Sequence, residues 1–322
     1  MSYINLGYIF LVASNSKINS KIWLRHYIHL IWFYFIVATN MSQKKVAVVT
    51  GSNKGLGFSI VKNLCEKYDG KVYLTSRDEN RGIKACKDLK RIGLQPIFHQ
   101  LDVTDGKSVQ NFVKHIRDEN EDVDILINNA GILFLKDTPE PKIIQAEQTV
   151  AVNFTALVDF TEAILPLVKN GGKIVNITSS SAHLSRIPSE NLRKKFNSEI
   201  LTLDELKSLA SEYVEDVNQD QEISKGWGDS PYVVSKVAVN AYTFILHRRL
   251  SPKGITVNCV HPGYVMSDMT RGGGSVTPED AAALPVKLVL EPWGKGLYVW
   301  HNGKEVPWDG PDPRVWIDGR KE

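Results

Sequence analysis

The chain has 322 residues, 43% of them apolar and 23% charged, which excludes a disordered or fibrous polymer and gives room for one large core. With 39 basic and 36 acidic residues the formal charge is +3, too small to argue for nucleic acid. Cys65, Cys86 and Cys259 are widely spaced and form neither a metal-ligand nor a disulfide pattern, so no metal and reduced, cytosolic thiols are expected.

Residues 1–40 differ in character from the rest. Residues 30–38 (LIWFYFIVA) form an apolar run preceded by Lys21, Arg25, His26 and His29. A membrane span needs about 20 mostly apolar residues. Extending the run back to Ile22 would place Arg25 in lipid at a cost of roughly 2 to 3 kcal/mol. Three readings stay open: a signal or signal-anchor segment, an amphipathic membrane anchor, or an upstream extension outside the working protein. Met41, directly before SQKK and the first strand, is the favoured start, with residues 41–322 as the working domain.

Residues 45–60 read KVAVVTGSNKGLGFSI. Val46, Ala47, Val48 and Val49 have no solvent-facing alternation, the mark of a strand buried on both sides of a parallel sheet. Gly51, Gly55 and Gly57 follow. Glycines here permit a tight turn and a close ligand approach, and the next helix starts with free N–H groups facing a phosphate. This predicts a dinucleotide-binding βα unit, although the TGxxxGxG spacing differs from the common fingerprint.

A second strand, residues 71–76, ends at Arg77. An acidic residue at this point would hold a ribose 2′-hydroxyl, whereas arginine accommodates a 2′-phosphate. Arg77 with Lys54 from the glycine turn therefore favours NADP(H), while Asp78 next to Arg77 leaves open that these are solvated surface charges. After a polar helix over residues 79–91, a third strand covers residues 95–101. Asp102 and Val103 follow it, where Asp102 can accept from an adenine amino group or cap the helix from Lys107, a task open also to Thr104 or Asp105. The fourth strand, residues 123–127, ends in Asn128, Asn129, Ala130 and Gly131, small and amide residues that let backbone pass close to a sugar.

A helix containing Asn153 leads to a fifth strand over residues 173–178, with Ser179 at its end. Residues 183–228 form a polar, helical insertion, in which Thr202, Leu203, Asp204 and Glu205 resemble a capping box before a helix running to about Val217. Another helix starts near Tyr232 and Lys236, and a sixth strand covers residues 255–260 before the loop HPGYVMS. The tail around Trp293, Trp300 and Trp308 reads as mostly irregular. Alternation of strand and helix predicts a single α/β domain, a doubly wound parallel sheet of Rossmann type with the insertion before Tyr232.

Tyr232 and Lys236 are four residues apart and share one helix face. A nearby cation favours a phenolate, which fits Tyr232 as general acid in carbonyl reduction and base in alcohol oxidation. Ser179 is placed to hold and polarise the carbonyl oxygen. Asn153 is placed to order a water that passes protons on through Lys236.

TGSNKGLG, Asp102, NNAG, Asn153, the serine after NIT, YVVSK and PGYV, in this order, resemble the short-chain dehydrogenase/reductase family across nearly all of residues 45–290. The likeness is strongest to the animal monomeric carbonyl reductases, in SNKGLG with Arg77 and in the long insertion. The resemblance implies an NADPH enzyme that reduces aldehydes, ketones or quinones in the cytoplasm, a small-molecule carbonyl as its partner, and a monomer whose insertion covers the face used elsewhere for tetramers. It implies Ser179, Tyr232, Lys236 and Asn153 as the catalytic set. Around the cofactor it implies Gly51, Asn53, Lys54, Gly55, Leu56, Gly57, Arg77, Asp102, Val103, Asn129, Ala130, Gly131, Pro262, Gly263, Val265 and Ser267, with Val265 on the carboxamide and Lys236 also on the nicotinamide ribose.

The chain departs from the pattern at His261, where several relatives carry cysteine, at Tyr264 in place of tryptophan, and in the glycine-rich RGGGS of a flexible substrate loop. His261 is given no role. Two other readings use the same residues. One is a steroid, retinoid or lipid-carbonyl dehydrogenase tethered to the endoplasmic reticulum by residues 1–40. The other is an NADPH-binding sensor without turnover, whose usual sign, loss of the tyrosine, lysine or serine, is missing here.

Overall fold

Val46, Ala47, Val48 and Val49 are fully buried, and the strand they form, β1 (Lys45–Val49), has a parallel neighbour on each side. The computed structural model describes residues 45–119 and 121–319, so the expectations for residues 1–40 and Met41 lie outside the described residues. From β1 the chain runs through α1 (Gly55–Lys67), β2 (Lys71–Ser76), α2 (Glu79–Arg91), β3 (Ile97–Gln100) and α3 (Gly106–Asp118) to β4 (Asp122–Asn128). Next come α4 (Lys142–Val150), a π turn (Ala151–Thr155), α5 (Ala156–Ile164) and β5 (Val168–Ile177). The insertion holds α6 (Glu190–Phe196) and α7 (Leu203–Asn218), and α8 (Pro231–Leu250), β6 (Thr256–His261), α9 (Pro278–Leu290), β7 (Tyr298–Trp300) and α10 (Pro313–Trp316) complete the chain.

The sheet order is β3-β2-β1-β4-β5-β6-β7, and every pairing is parallel. The chain moves outward from β1 to β3 and then returns to lay β4 on the other side of β1. A crevice opens above the carboxyl ends where the direction reverses, and ligands bind there in such sheets. Apolar layers cover both faces. Phe112, Phe154, Phe160, Val237 and Tyr242 lie on one side, and Ile60, Leu64, Leu89, Val286 and Val289 on the other.

Three elements differ from the sequence reading. Strand β3 begins at Ile97 because Pro96 has no N–H for the ladder. Strand β5 reaches back to Val168 through Gly171 and Gly172, with a register shift against β4 between Val123 and Ile125. The tail contributes a seventh strand, Tyr298–Trp300, whose three residues are all buried. The continuous helical run Lys142–Leu167 has the length and apolarity to cross a membrane, but half of its most apolar window is buried inside the protein, and Phe154, Val158, Phe160 and Ile164 are core residues.

Close packing also fixes α2 against β3. A Cβ on Gly82 would lie 1.9 Å from Phe98 Cε2. Gly82→Ala should therefore overpack this contact and cost about 1 to 3 kcal/mol. At about 2 to 4 °C per kcal/mol for a domain of this size, thermal unfolding should show a lower melting temperature, and an unchanged one would contradict the packing described.

Candidate active site

The turn between β1 and α1 depends on backbone closeness. Gly51 has φ +59°, and a Cβ on it would sit 2.9 Å from Ala130 Cα. One on Gly57 would sit 2.5 Å from Asn129 Nδ2 and 2.8 Å from the Gly51 carbonyl oxygen. Asn129 Nδ2 donates to the carbonyls of Thr50 at 3.0 Å and Gly51 at 2.9 Å, while Thr50 Oγ1 accepts from the N–H of Asn129 and of Ala130. The residues after β4 thus hold the glycine turn in shape.

Ser52, absent from the sequence reading, locks the same turn from the other side. Its hydroxyl donates to the Val49 carbonyl at 2.9 Å and accepts from the Thr75 N–H at 2.9 Å. Helix α1 then starts with no side-chain cap and no acidic residue in its first turn, whereas Asp78 and Asp105 cap α2 and α3. A Cβ on Gly55 would meet only Ser267 Cβ, at 3.9 Å. An uncapped helix start beside open backbone at Gly55 and Leu56 fits the pyrophosphate of a dinucleotide.

The cations at the rim differ in availability. Arg77 is exposed and forms no ion pair among the described residues. Its neighbour Asp78 is occupied at α2, accepting from the Arg81 N–H at 2.8 Å and pairing with that side chain at 3.0 Å. Lys54 instead pairs with Asp268 at 2.6 Å, across from the glycine turn. Asp102 is half-buried at the end of β3, and its Oδ1 accepts from the N–H and hydroxyl of Thr104. Capping of α3 falls to Asp105, which accepts from the Lys107 N–H at 2.9 Å. Val103 packs against the core below.

The proposed catalytic side chains converge above β4 and β5. Ser179 lies two residues past the end of β5 in extended backbone, and its hydroxyl accepts from the Ser181 N–H at 3.1 Å. Burial pushes the Tyr232 phenol above its ordinary pKa, and a hydrogen bond with the Ser179 side chain pulls it partly back. Burial thus outweighs the help toward the phenolate expected from Lys236, and the phenol stays protonated at neutral pH. Lys236 lies in the first turns of α8 with Nζ 5.8 Å from the Tyr232 ring centroid, and it donates to the Ile177 carbonyl at 2.9 Å.

Burial pushes the Lys236 ammonium down to about 8 from 10.5. If Tyr232 gives the proton in carbonyl reduction it must be protonated, and its partner cation is lost as pH rises through that value. The rate of carbonyl reduction should thus be level at neutral pH and fall above a pH of about 8. Stability should move oppositely, because the unfolded chain binds more protons between pH 8 and 10.5, and the fold should strengthen across that window. A rate independent of pH up to 10 would contradict this assignment.

Asn153 sits in the π turn, a helical irregularity often found at functional sites. It is fully buried; its Oδ1 accepts from the Ile132 N–H at 2.7 Å, and its Nδ2 donates to the Ile132 carbonyl at 3.0 Å and to Ser235 Oγ at 3.2 Å. Those contacts tie the loop after β4 to α8. A Cβ on Gly131 would lie 3.2 Å from Asn153 Oδ1 and 3.8 Å from Lys236 Nζ, so this glycine leaves the space between them open. Beneath it, Asn128 Nδ2 donates to Thr161 Oγ1 and Asn176 Oδ1, and Asn176 Nδ2 donates to Thr243 Oγ1, each at 2.9 Å. Asparagines at the ends of buried strands, Asn128 closing β4 and Asn176 one residue before the end of β5, were the available signal for this support.

The loop after β6 closes the other rim. Pro262 is buried, Gly263 has φ +92°, and Val265 pairs with Val276. Ser267 caps a short turn over Asp268–Thr270. The glycines of RGGGS, expected to give flexibility, serve packing at Gly274, where φ is +146° and a Cβ would lie 2.5 Å from the Met266 nitrogen. Exposed ion pairs tie the loop to both sides of the crevice, Asp268 to Lys54 and Arg271 to Asp137. His261 is buried against Trp300, ring centroids 4.8 Å apart, in keeping with a packing residue.

A family model described as short chain dehydrogenase matches residues 45–189 and 222–275. Carbonyl reductase (NADPH) 3 of Mus musculus is 42% identical over 257 residues, covering 78% of this chain and 92% of that protein. Carbonyl reductase (NADPH) 1 of Homo sapiens is 41% identical over 252 residues, covering 77% and 91%. Among solved structures, salutaridine reductase from Papaver somniferum superposes with a TM-score of 0.74 at 29% identity, covering 79% of this chain and 99% of that one. A short chain dehydrogenase from Burkholderia cenocepacia in complex with NADP gives 0.58 at 26% identity, covering 80% and 95%. Matched across its sheet, its glycine turn and the helix that carries Tyr232, the chain belongs to the short chain dehydrogenase family.

Proposed function

We propose that the protein is an NADPH-dependent carbonyl reductase acting on aldehydes, ketones or quinones. The observation that carries this reading is the meeting of a protonated Tyr232 phenol, the Ser179 hydroxyl and the buried Lys236 above the sheet edge that also holds the glycine turn. The relatives named carbonyl reductase (NADPH) support the same cofactor and reaction.

When bound, the dinucleotide supplies the hydride. Gly55, Leu56 and Gly57 would hold its pyrophosphate at the start of α1, and Arg77, joined by Lys54 once it leaves Asp268, would meet the 2′-phosphate. Asp102 and Val103 would border the adenine; Asn53, Asn129, Ala130 and Gly131 would lie along the sugars; Pro262, Gly263, Val265 and Ser267 would close the nicotinamide side. The Ser179 hydroxyl donates to the substrate carbonyl oxygen and fixes it beside the phenol. Tyr232 delivers its proton to that oxygen, and Lys236 stabilises the phenolate left behind and holds the nicotinamide ribose. Because the Asn153 side chain is engaged by Ile132 and Ser235, the main chain of its π turn orders the water that returns a proton through Lys236.

Tyr264, Met266 and Met269 present apolar surface on the loop after β6, which suits flat, apolar carbonyl compounds. The insertion supports a monomer. Helix α7 buries Leu206, Leu209, Ala210, Tyr213 and Val217 in the shared core and packs on α4 and α8, covering the helical face expected to be free in an oligomer. In this reading the enzyme works in the cytoplasm. Loss of NADPH absorbance should be seen with quinones and aromatic aldehydes. Binding of NADPH without turnover of any quinone, aldehyde or ketone would overturn the reading in favour of a sensor.

A further inference from the structure

The carbonyl of Ser179 lies past the last residue of the β5 ladder, and it accepts a hydrogen bond from the hydroxyl of Tyr298 at 2.6 Å. Tyr298 is the first residue of β7 and is 1% exposed. Burial keeps its phenol protonated, hence a donor. Beyond β7 the chain folds back, with Val306 N–H on the Tyr298 carbonyl at 2.9 Å. Trp308 then donates its indole N–H to the Ala182 carbonyl at 2.6 Å and accepts from the Leu184 N–H at 3.1 Å, and the Pro307 carbonyl lies 3.1 Å from His183 Nε2. The backbone that leaves Ser179 is therefore held at several points by the carboxyl-terminal tail.

We propose that Tyr298 is a positioning residue for the reaction. With the Ala182 N–H, which reaches the same carbonyl at 3.0 Å, it fixes the peptide plane after Ser179 and so sets the direction in which the Ser179 hydroxyl points. The inference rests on the reading of Ser179 as the group that holds the substrate carbonyl oxygen. Direction matters because the hydroxyl must meet both the substrate oxygen and the Tyr232 phenol. The backbone carrying Ser179 is extended and beyond the ladder, and without the phenol its carbonyl keeps only the local Ala182 N–H at 3.0 Å, which lets the peptide plane tilt. A misplacement of about 1 Å can cost up to about a hundredfold in rate. Trp308 acts further along the same segment, at Ala182, and is expected to matter less.

Tyr298→Phe keeps the buried ring and removes only the donor. The expected result is a kcat about tenfold lower, with NADPH affinity by fluorescence titration and melting temperature both close to those of the parent. A double-mutant cycle separates positioning from general support. Ser179→Ala alone should lose about a hundredfold or more and stay measurable, and adding Tyr298→Phe to it should cost nothing further. An unchanged kcat in Tyr298→Phe, or the same tenfold loss with Ser179 already removed, would overturn the proposal. Full activity in Ser179→Ala would instead remove the reading on which it rests.

Discussion

Tyr232→Phe should lower carbonyl turnover by about a thousandfold while leaving the Kd for NADPH within a few fold. The substitution takes away one oxygen and keeps the ring against its neighbours, so melting should shift by no more than about 2 °C. What disappears is the phenol that hydrogen-bonds the Ser179 side chain and stands next to Lys236. Positioned proton donors supply about a hundred- to ten-thousandfold of rate. Ser179 is a poor replacement, because its hydroxyl is needed on the same carbonyl oxygen and has no adjacent cation of its own. Stopped-flow measurement of NADPH oxidation with a saturating aromatic aldehyde gives the result directly. Turnover within tenfold of the parent would refute Tyr232 as the proton donor, whatever the fate of the cofactor site.

Arg77→Ala should weaken NADPH by about ten- to a hundredfold and leave NADH nearly unchanged, since a charge-assisted contact to a phosphate is lost only with the phosphorylated cofactor. Arg77 has no competing ion pair among the described residues and is ready for this contact. Lys54 must first leave Asp268, so Lys54→Ala should have a smaller effect than Arg77→Ala, and Asp268→Ala should tighten NADPH slightly by freeing the lysine. Both trends can be read from cofactor titrations at low and high salt, with the discrimination shrinking as salt screens the exposed charges. An unchanged ratio of NADPH to NADH affinity in Arg77→Ala would remove the argument for 2′-phosphate recognition at the end of β2.

Much of this site is legible in the chain because its chemistry is local. The glycine turn follows directly on a buried strand, and Tyr232 and Lys236 are a helical turn apart, so spacing alone brings each group together. Thr202 and Glu205 behave likewise, and the capping box they predict begins α7. Residues whose partners are distant in sequence are harder to read. Ser52 matters through Thr75, the asparagines below the site through each other, and Tyr298 through Ser179, across 119 positions. Strand β7 escapes for another reason. Three residues are too few for a period of two to appear, and the surrounding glycines and prolines read as loop. The strength of the Lys236 perturbation also depends on burial, which no spacing rule contains.

The π turn at Ala151–Thr155 has a consequence for how this stretch tolerates change in length. It takes one residue more than an α-helical turn, which rotates α5 by about 100° relative to the line of α4. The earlier half can therefore aim its buried residues at α7 and α8, and the later half at α3 and the sheet. Deleting a single amino acid there would straighten the rod and swing every side chain beyond it off target, with Asn153 drawn away from Ile132. Substitution of the exposed Ala151 should be forgiven far more readily than any shortening of the segment.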